Sequence, residues 1–146
     1  MTSLAAALLL CVDPPALERE VHEAVNAYRV SIGRSALVLD EQVSAVARGR
    51  SREIAEGRSK FGHTGFTDRV EAVAQTLILR AMSENLYRGT GADGFATRAM
   101  RSWLTSGGHK KNLEGDHNIT GVGVAESPEG EVIITQIYVR SPGRRR

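Results

Sequence analysis

The chain has 146 residues, a formal net charge of +2 and a single cysteine, Cys11. A chain of this length forms one compact domain that buries most of its apolar surface. Its lysines and arginines are scattered, with no basic block before Arg144-Arg145-Arg146, which argues against a nucleic-acid-binding protein. One cysteine excludes an internal disulfide, so the core alone must stabilise the fold.

Residues 1–13 form an apolar segment that ends where Asp13-Pro14-Pro15 breaks any helix. The segment is too short to span a bilayer but long enough for the apolar part of a secretory signal, although it lacks a basic front end. An export signal and an apolar segment packed on the domain both remain open. Lipidation at Cys11 is disfavoured because Leu10 stands where a lipoprotein signal needs a small residue. The domain is expected over residues 14–140, followed by a basic, frayed tail over residues 141–146.

Helical spacing of apolar residues predicts two long helices in the first part of the domain. The first carries its apolar face from Leu17 to Tyr28 and ends at Ser31-Ile32-Gly33. Asp40 is a good N-cap for the second helix, which stops at Gly57. Many arginines lie on the other face of the second helix, and we expect that face to be solvated.

The middle of the chain is less clearly patterned. Asp68 and Glu71 have the spacing of a capping box and predict a short third helix soon after His63, which places His63 in a loop. Residues 77–79 and 82–87 form a connection that can contain a short strand.

The last third of the chain predicts a helix and then a hairpin. Asp93 caps a fourth helix, and Gly107-Gly108 ends it just before His109. Residues 118–126 and 131–140 are β-branched runs joined by a Ser-Pro-Glu-Gly turn. Because helices precede strands, the predicted fold class is α+β.

Short motifs along the chain resemble the CAP superfamily, also called SCP/TAPS, and in particular its bacterial type without disulfides. The matching residues are Asn26-Ala27-Tyr28-Arg29 with Gly33, Gly62-His63, Glu84-Asn85, Trp103 with Ser106, His109 and Asn112, and Gly121-Val122-Gly123. Each motif alone is weak, but their order and compatible spacing from about residue 17 to residue 139 identify the chain as a member of this family.

The resemblance implies an α-β-α sandwich in which helices cover both faces of a small antiparallel sheet. It also implies a cleft lined by His63, His109 and Glu84. The fuller family pattern has a second glutamate three residues after the tryptophan, where this chain has Ser106. This departure weakens any mechanism that needs the complete set of four residues.

The residue types of this cleft suit a metal or an acid–base site. Two neutral imidazoles and a carboxylate are ligands that zinc and similar divalent ions accept, so His63, His109 and Glu84 are the candidate metal ligands. Without a metal, Glu84 and a histidine can share a proton as a general base, which makes the same three residues the candidate catalytic residues. A Ser-His-Glu hydrolase with Ser83 or Ser106 is the least favoured alternative, because only nearness in sequence supports it.

A purely structural interpretation stands beside these. Glu84 can accept backbone amide bonds within its turn, and His109 can cap the end of the fourth helix, where a cation meets the negative end of the dipole. The remaining polar and aromatic candidates are interpreted as surface, core or cleft-wall residues: His22, His117, Trp103 and Phe61. Asn112 and Gln136 are expected to satisfy buried backbone groups.

Three functions follow from this cleft. The favoured one is an extracellular or cell-envelope module that binds a small ligand, lipid or protein through the cleft, with zinc or another divalent metal ordering it. The second is a metal-dependent, peptidase-like hydrolase in which Glu84 activates a water molecule. The third is lipid or sterol binding. The missing second acid and the lack of an evident nucleophile favour the first. We expect a monomer or weak dimer, secreted or associated with the cell envelope.

Overall fold

Five helices and four strands are present in the computed structural model, which describes residues 12–146. In chain order they are α1 (Pro14–Ser31), β1 (Val38–Leu39), α2 (Glu41–Ala55), α3 (Phe66–Ala74), β2 (Ala81–Gly89), α4 (Phe95–Leu104), α5 (Gly107–Leu113), β3 (Ile119–Glu126) and β4 (Val132–Arg140). The two interpretations of the N-terminal segment concern residues that lie almost wholly outside the described part of the chain.

The end of α1 and the start of α2 confirm the sequence prediction. The expectation that Asp13-Pro14-Pro15 breaks any helix is wrong, because α1 begins at Pro14 and the first turn of a helix tolerates proline. Asp13 is the N-cap of α1, and the chain turns away after the helix at Gly33, whose φ of 80° is one that glycine adopts readily. The carboxylate of Asp40 accepts hydrogen bonds from the backbone N–H groups of Gln42 and Val43 at 2.9 and 3.0 Å. These bonds satisfy two donors that the first turn of a helix leaves free.

The starts of the later helices differ from the prediction. Gly65 and Gly94 are the N-cap residues of α3 and α4, so neither Asp68 nor Asp93 is a cap. Both glycines have positive φ, so the chain can change direction there, and each helix begins at the residue that follows its glycine. Gly107-Gly108 does not end a helix: α4 stops at Leu104, and Gly107 is the first residue of α5.

The strands form one sheet in the order β1-β3-β4-β2. Pairing is antiparallel between β3 and β4 and between β4 and β2, as the α+β prediction requires, but β1 pairs with β3 in parallel. The predicted connection after α3 contains a strand of nine residues, β2. The sequence did not predict β1, because two residues are too short to show alternation.

Helices cover both faces of the sheet, which confirms the sandwich. On one face the core joins α1, α4 and α5 to the sheet, and Trp103 lies at its centre. On the other face α2 and α3 pack against the sheet through two smaller clusters. Among residues 12–146, no helix has the length and apolar character needed to cross a membrane.

Helix α2 lies directly on β3 because two residues of that strand have no side chain. A β-carbon at Gly121 would overlap the backbone between Val43 and Ser44, and one at Gly123 would overlap the backbone of Ala47 and Arg48. The Gly-x-Gly motif is therefore a packing requirement, since a protein interior has no room for extra atoms between a helix and a strand in contact.

The basic C-terminal residues are not a frayed tail. The guanidinium of Arg144 donates to Asp40 Oδ2 at 2.6 Å and to Gln42 Oε1 at 2.7 Å. The backbone N–H of Arg145 donates to the carbonyl of Thr76 at 2.9 Å. The prediction of a solvated end is wrong for these two residues, because ion pairing and backbone bonds hold them on α2 and the end of α3.

Candidate functional site

Strand β2 lies at an edge of the sheet and sends alternate side chains to opposite layers. Leu86 packs with Ile54 and Ala55 of α2, whereas Tyr87 belongs to the cluster on the other face. By the same alternation, Glu84 faces the layer of α2 and α3, and Asn85 faces the layer of α5. The two neighbouring residues of the Glu-Asn motif therefore act in different layers.

Glu84 is fully buried and holds the ring of His63. Its two carboxylate oxygens accept hydrogen bonds from Arg69 of α3, with Nε to Oε2 at 2.8 Å and Nη2 to Oε1 at 2.6 Å. Nδ1 of His63 lies 2.9 Å from Oε1. Because a carboxylate only accepts, Nδ1 is the donor of this bond, and Nε2 is the ring nitrogen that the bond does not use. The side chain of Glu84 has no exposed surface, whereas that of His63 is 55% exposed.

The loop that carries His63 is fastened by a second buried arginine. Arg50 of α2 donates to Ser59 Oγ at 2.8 Å and to the carbonyl of Lys60 at 3.1 Å, and it also bonds to the carbonyl of Gly62. Arg50 is 2% exposed, so the prediction of a solvated face is wrong for this residue. Carbonyls that a loop would otherwise leave unpaired become the acceptors of a buried cation.

His109 is held through its backbone by Asn85. The Asn85 side-chain amide donates to the carbonyl of His109 at 3.1 Å, and Asn112 donates to Asn85 Oδ1 at 2.9 Å. His109 is the third residue of α5, so it does not cap the C-terminal end of a helix as the structural interpretation supposed. Burial, followed by the charge of nearby His63, lowers the pKa of the His109 imidazole.

A chain of buried hydrogen bonds continues from Asn85 into the sheet. Asn85 also donates to the hydroxyl of Tyr138 at 3.3 Å, and that hydroxyl donates to Gln136 Oε1 at 3.2 Å. Gln136 then donates to Thr120 Oγ1 at 3.1 Å. Gln136 therefore bonds to side chains and not to the backbone groups predicted for it, and the network ties the position of α5 to three strands.

Two backbone carbonyls of β2 accept hydrogen bonds from side chains instead of from a neighbouring strand. Asn112 donates to the carbonyl of Glu84 at 3.3 Å, as predicted for a residue that satisfies the backbone. The indole N–H of Trp103 donates to the carbonyl of Leu86 at 2.9 Å. Trp103 is fully buried in the core, whereas Phe61 is 38% exposed beside the cleft and packs under the guanidinium of Arg88 at 5.1 Å.

The structure brings His63 and Glu84 into contact, and the charge of His63 acts on His109, but the three residues do not form a cluster of free ligands. Within residues 12–146, no group of three or more histidine, cysteine, aspartate or glutamate side chains is placed to hold a metal ion. Arg69 and His63 already bond to both oxygens of Glu84. The side chains that remain available as metal ligands are the two imidazoles. The carboxylate of Glu84 bonds to Nδ1 of His63, so it fits the role of orienting a ligand better than that of ligating a metal itself.

The serines named from the sequence lie apart from this cluster. Ser83 points to the layer opposite Glu84, where its hydroxyl lies 3.5 Å from Nε2 of His117. His117 stacks on the ring of Tyr138, which agrees with its interpretation as a packing residue. Within residues 12–146 the side chains of Ser106 and His109 are not hydrogen-bonded to each other, so a Ser-His-Glu arrangement is not assembled there.

Sequence reasoning missed Arg69 and Arg50, although a signal was present. Arg69 stands four residues before the buried Val73 of α3, and Arg50 lies between Ala47 and Ile54 on the buried face of α2. An arginine on the apolar face of a helix needs partners inside the protein, so this position alone indicates a buried ion pair or a carbonyl clamp.

Comparison with known proteins gives a consistent result. Residues 22–138 match the family described as "CAP: Cysteine-rich secretory protein family". The chain is 27% identical over 122 residues to the uncharacterized protein YkwD of Bacillus subtilis (strain 168), a match that covers 80% of this chain and 45% of that protein. The chain therefore spans about half the length of this relative.

Two solved structures have the same fold. An extracellular protein containing an SCP domain from Bacillus anthracis superposes with a TM-score of 0.73 and 25% identity, over 88% of this chain and 41% of that one. A manganese-bound form of Ac-ASP-7, an Ancylostoma-secreted protein, superposes with a TM-score of 0.56 and 14% identity, over 90% of this chain and 72% of that one. The second likeness establishes the fold alone.

Proposed function

This chain belongs to the CAP family of cysteine-rich secretory proteins, and from that premise we propose that it is an extracellular or envelope-associated module that binds a ligand through the cleft of His63, Glu84 and His109. The observation that carries the proposal is the fully buried Glu84, which fixes the ring of His63 while leaving most of that side chain exposed. Arg69 also donates to the carbonyl of Thr64 at 2.9 Å, so the buried pair holds both the loop and the ring. A buried ion pair that orients a partly exposed imidazole is typical of a binding site.

A divalent metal fits this proposal as a bridge between two imidazoles. Nε2 of His63 is free to ligate, and the lowered pKa of His109 keeps that ring neutral near physiological pH. Glu84 would then raise the basicity of His63 from behind, as carboxylates do for many metal-bound histidines. Two protein ligands leave the remaining positions of such an ion to water or to a group of the bound ligand. The manganese-bound relative has this fold, and the relative from Bacillus anthracis is described as extracellular.

The two other functions have less support. A hydrolase that uses Glu84 as its base needs a water molecule at the carboxylate, but Arg69 and His63 occupy both oxygens and the side chain is fully buried. Lipid or sterol binding needs an apolar pocket. The depression of about 350 Å³ beside the His63 loop is lined by Glu53, Ser59 and Asp68 as well as by small apolar residues.

Calorimetric titration with zinc near pH 7 tests the proposal on the parent chain, on a His63→Ala, His109→Ala variant and on His22→Ala as a matched control outside the cleft. We expect a heat of binding in the parent and in the control, and none in the double variant. Binding should weaken as the solution is made more acidic, because imidazoles must be deprotonated to ligate. Equal heat in the double variant would place the ion elsewhere and remove the metal from the proposal.

A further inference from the structure

Arg29 of α1 is a buried cation that forms no ion pair with a carboxylate in the described part of the chain. It is 1% exposed, and its guanidinium donates to the carbonyls of Ser35, Leu113 and Gly115 at 2.8–2.9 Å and to that of His117 at 3.4 Å. None of the ion pairs among residues 12–146 includes this side chain. These four bonds use four of the five N–H groups of an arginine, so one donor on Nη2 has no acceptor.

Arg29 lies in the wall of a surface depression at the end of the molecule where α1 meets β3 and β4. The depression has a volume of about 240 Å³ and is also lined by Arg34, Arg140, His117 and Asp116. Three guanidinium groups therefore face one carboxylate. The carboxylate of Asp116 is 79% exposed and lies 3.8 Å from Arg140, too exposed and too distant to neutralise the site.

The lowered pKa of His117 is consistent with an excess of positive charge around this depression. Its pKa is lowered to about 4 by burial and then by the positive charge of Arg29, against an opposing effect of Asp116 and with a smaller contribution from Arg140. The imidazole is therefore neutral at pH 7 and adds no charge to the depression. Lys110, Lys111 and Arg34 line a second depression, of about 460 Å³, which meets the first at Arg34. Its one carboxylate, Glu114, accepts a hydrogen bond from the hydroxyl of Tyr28, so the three cations still outnumber it.

We propose that the depression between Arg34 and Arg140, above the buried Arg29, binds a small oxyanion of the phosphate class. A tetrahedral oxyanion offers several acceptors to arginine forks and matches an excess of positive charge that the protein leaves uncompensated. The site is separate from the cleft of His63 and His109 and does not rest on the function proposed for that cleft. The phosphate group can belong to a free ion or to a lipid headgroup, since both present the same oxygens.

Amide chemical-shift changes at residues 34–36 and 116–118, measured by NMR during titration with inorganic phosphate at constant ionic strength, test the proposal. We expect saturable shifts there, about tenfold weaker binding in an Arg34→Gln, Arg140→Gln variant, and about twofold tighter binding in Asp116→Asn. Arg19→Gln, Arg101→Gln is the matched control, because it removes two exposed arginines elsewhere and leaves the same net charge.

Equal weakening in the control variant, or no saturable shift at these residues, would overturn the proposal, because binding would then follow net charge or be absent. A parallel titration uses phosphatidylcholine vesicles with and without phosphatidate. Vesicle binding that needs both phosphatidate and the two arginines would identify a headgroup as an accepted source of the phosphate. Vesicle binding without any response to the free ion would contradict a site for a small oxyanion.

Discussion

Strand β3 is paired with β1 only at Ile119 and Thr120, so the rest of it forms an edge of the sheet. At this β3 edge, side-chain oxygens of Ser44 and Glu18 accept hydrogen bonds from the backbone N–H groups of Val122 and Val124, both at 3.2 Å. At the β2 edge the roles are reversed, because side-chain N–H groups donate to backbone carbonyls of the strand. Both edges are thus protected from pairing with another chain, one by acceptors and the other by donors.

The difference lies in what each edge leaves exposed. At β3, Glu18 also pairs with Arg48 at 2.8 Å, and α2 lies directly against the strand at Gly121 and Gly123. At β2, the carbonyl of Glu84 helps to close the edge while its carboxylate holds His63. One edge is structural throughout, whereas the other uses the same residue for closure and for the cleft. Substitutions at the two edges should therefore have different consequences.

The largest expected effect is at the structural edge. Gly123→Ala should destabilise the protein by at least about 3 kcal/mol, because the new methyl group would force α2 away from β3. Gly107→Ala is the matched control, since a β-carbon there meets nothing within 4 Å. Chemical denaturation of both variants measures the difference, and equal stabilities would refute the close-packing account of the Gly-x-Gly motif.

The cleft edge should be almost as sensitive at Arg69. Arg69→Met should cost about 3–5 kcal/mol, because it leaves the carboxylate of Glu84 buried beside His63 alone. Adding Glu84→Gln should recover part of the loss, since a neutral amide costs less to bury than an unpaired carboxylate. A double-mutant cycle by urea unfolding gives the coupling, and strictly additive losses would mean that the pair contributes no interaction of its own.

Acid should destabilise the folded state through His117, which lies beside Ser83 of β2 but outside the cleft. The folded pKa of His117, about 4, lies below its unfolded value of 6.5, so the neutral ring stabilises the folded state above pH 6.5. That contribution, on the order of 2 kcal/mol, should be lost as the pH falls from 6.5 to about 4. Unfolding free energies across this range should show a flatter slope in His117→Phe, which keeps a ring against Tyr138; an unchanged slope would assign the loss to other groups.

Asn112 should have an intermediate effect. Asn112→Ala removes the donor to the carbonyl of Glu84 and to Asn85, and should cost about 1–2 kcal/mol. The position of His109 should also change, because Asn85 holds its carbonyl. Relative to the parent protein, Asn112→Ala should accelerate amide hydrogen exchange more in α5 than in α1. Equal acceleration in both helices would show a global loss of stability instead.

The smallest effect on stability is expected at His63. His63→Ala should change the unfolding free energy by less than about 0.5 kcal/mol, because its side chain is more than half exposed and Glu84 keeps its pair with Arg69. Thermal unfolding provides the measurement, with His109→Ala for comparison. A large loss at His63 would indicate that the residue belongs to the structure and not to a binding site.

The sequence predicted the elements that show a regular pattern and missed those that depend on contacts between layers. Helix α1, helix α2 and the final hairpin follow from apolar periodicity, Asp40 and the turn residues. Strand β2 has a weak pattern because Glu84 and Asn85 are buried polar residues that find partners on α3 and α5. Helix α5 was missed because two glycines more often end a helix than begin one.

The candidate site was predicted through the family motifs, but its internal order was not. Residue types alone made Glu84, His63 and His109 equal candidates for ligands. The geometry separates them, because Arg69 takes up the carboxylate of Glu84 and leaves only the imidazoles free. Arg69 lies on α3, 15 residues before Glu84 of β2, and no local pattern links the two positions.

The alternation of Glu84 and Asn85 has a consequence for how this fold can vary. Neighbouring residues of one strand hold the ring of His63 and the backbone of His109 from opposite sides, so the pleat of β2 fixes the relative position of these two attachment points. The loops that approach the strand can then gain or lose residues elsewhere without changing that relative position, provided that Glu84 keeps its contact with His63 and Asn85 its contact with His109. Strand β2 thus fixes the positions of these two contacts, and the sequence around them can vary in length and composition.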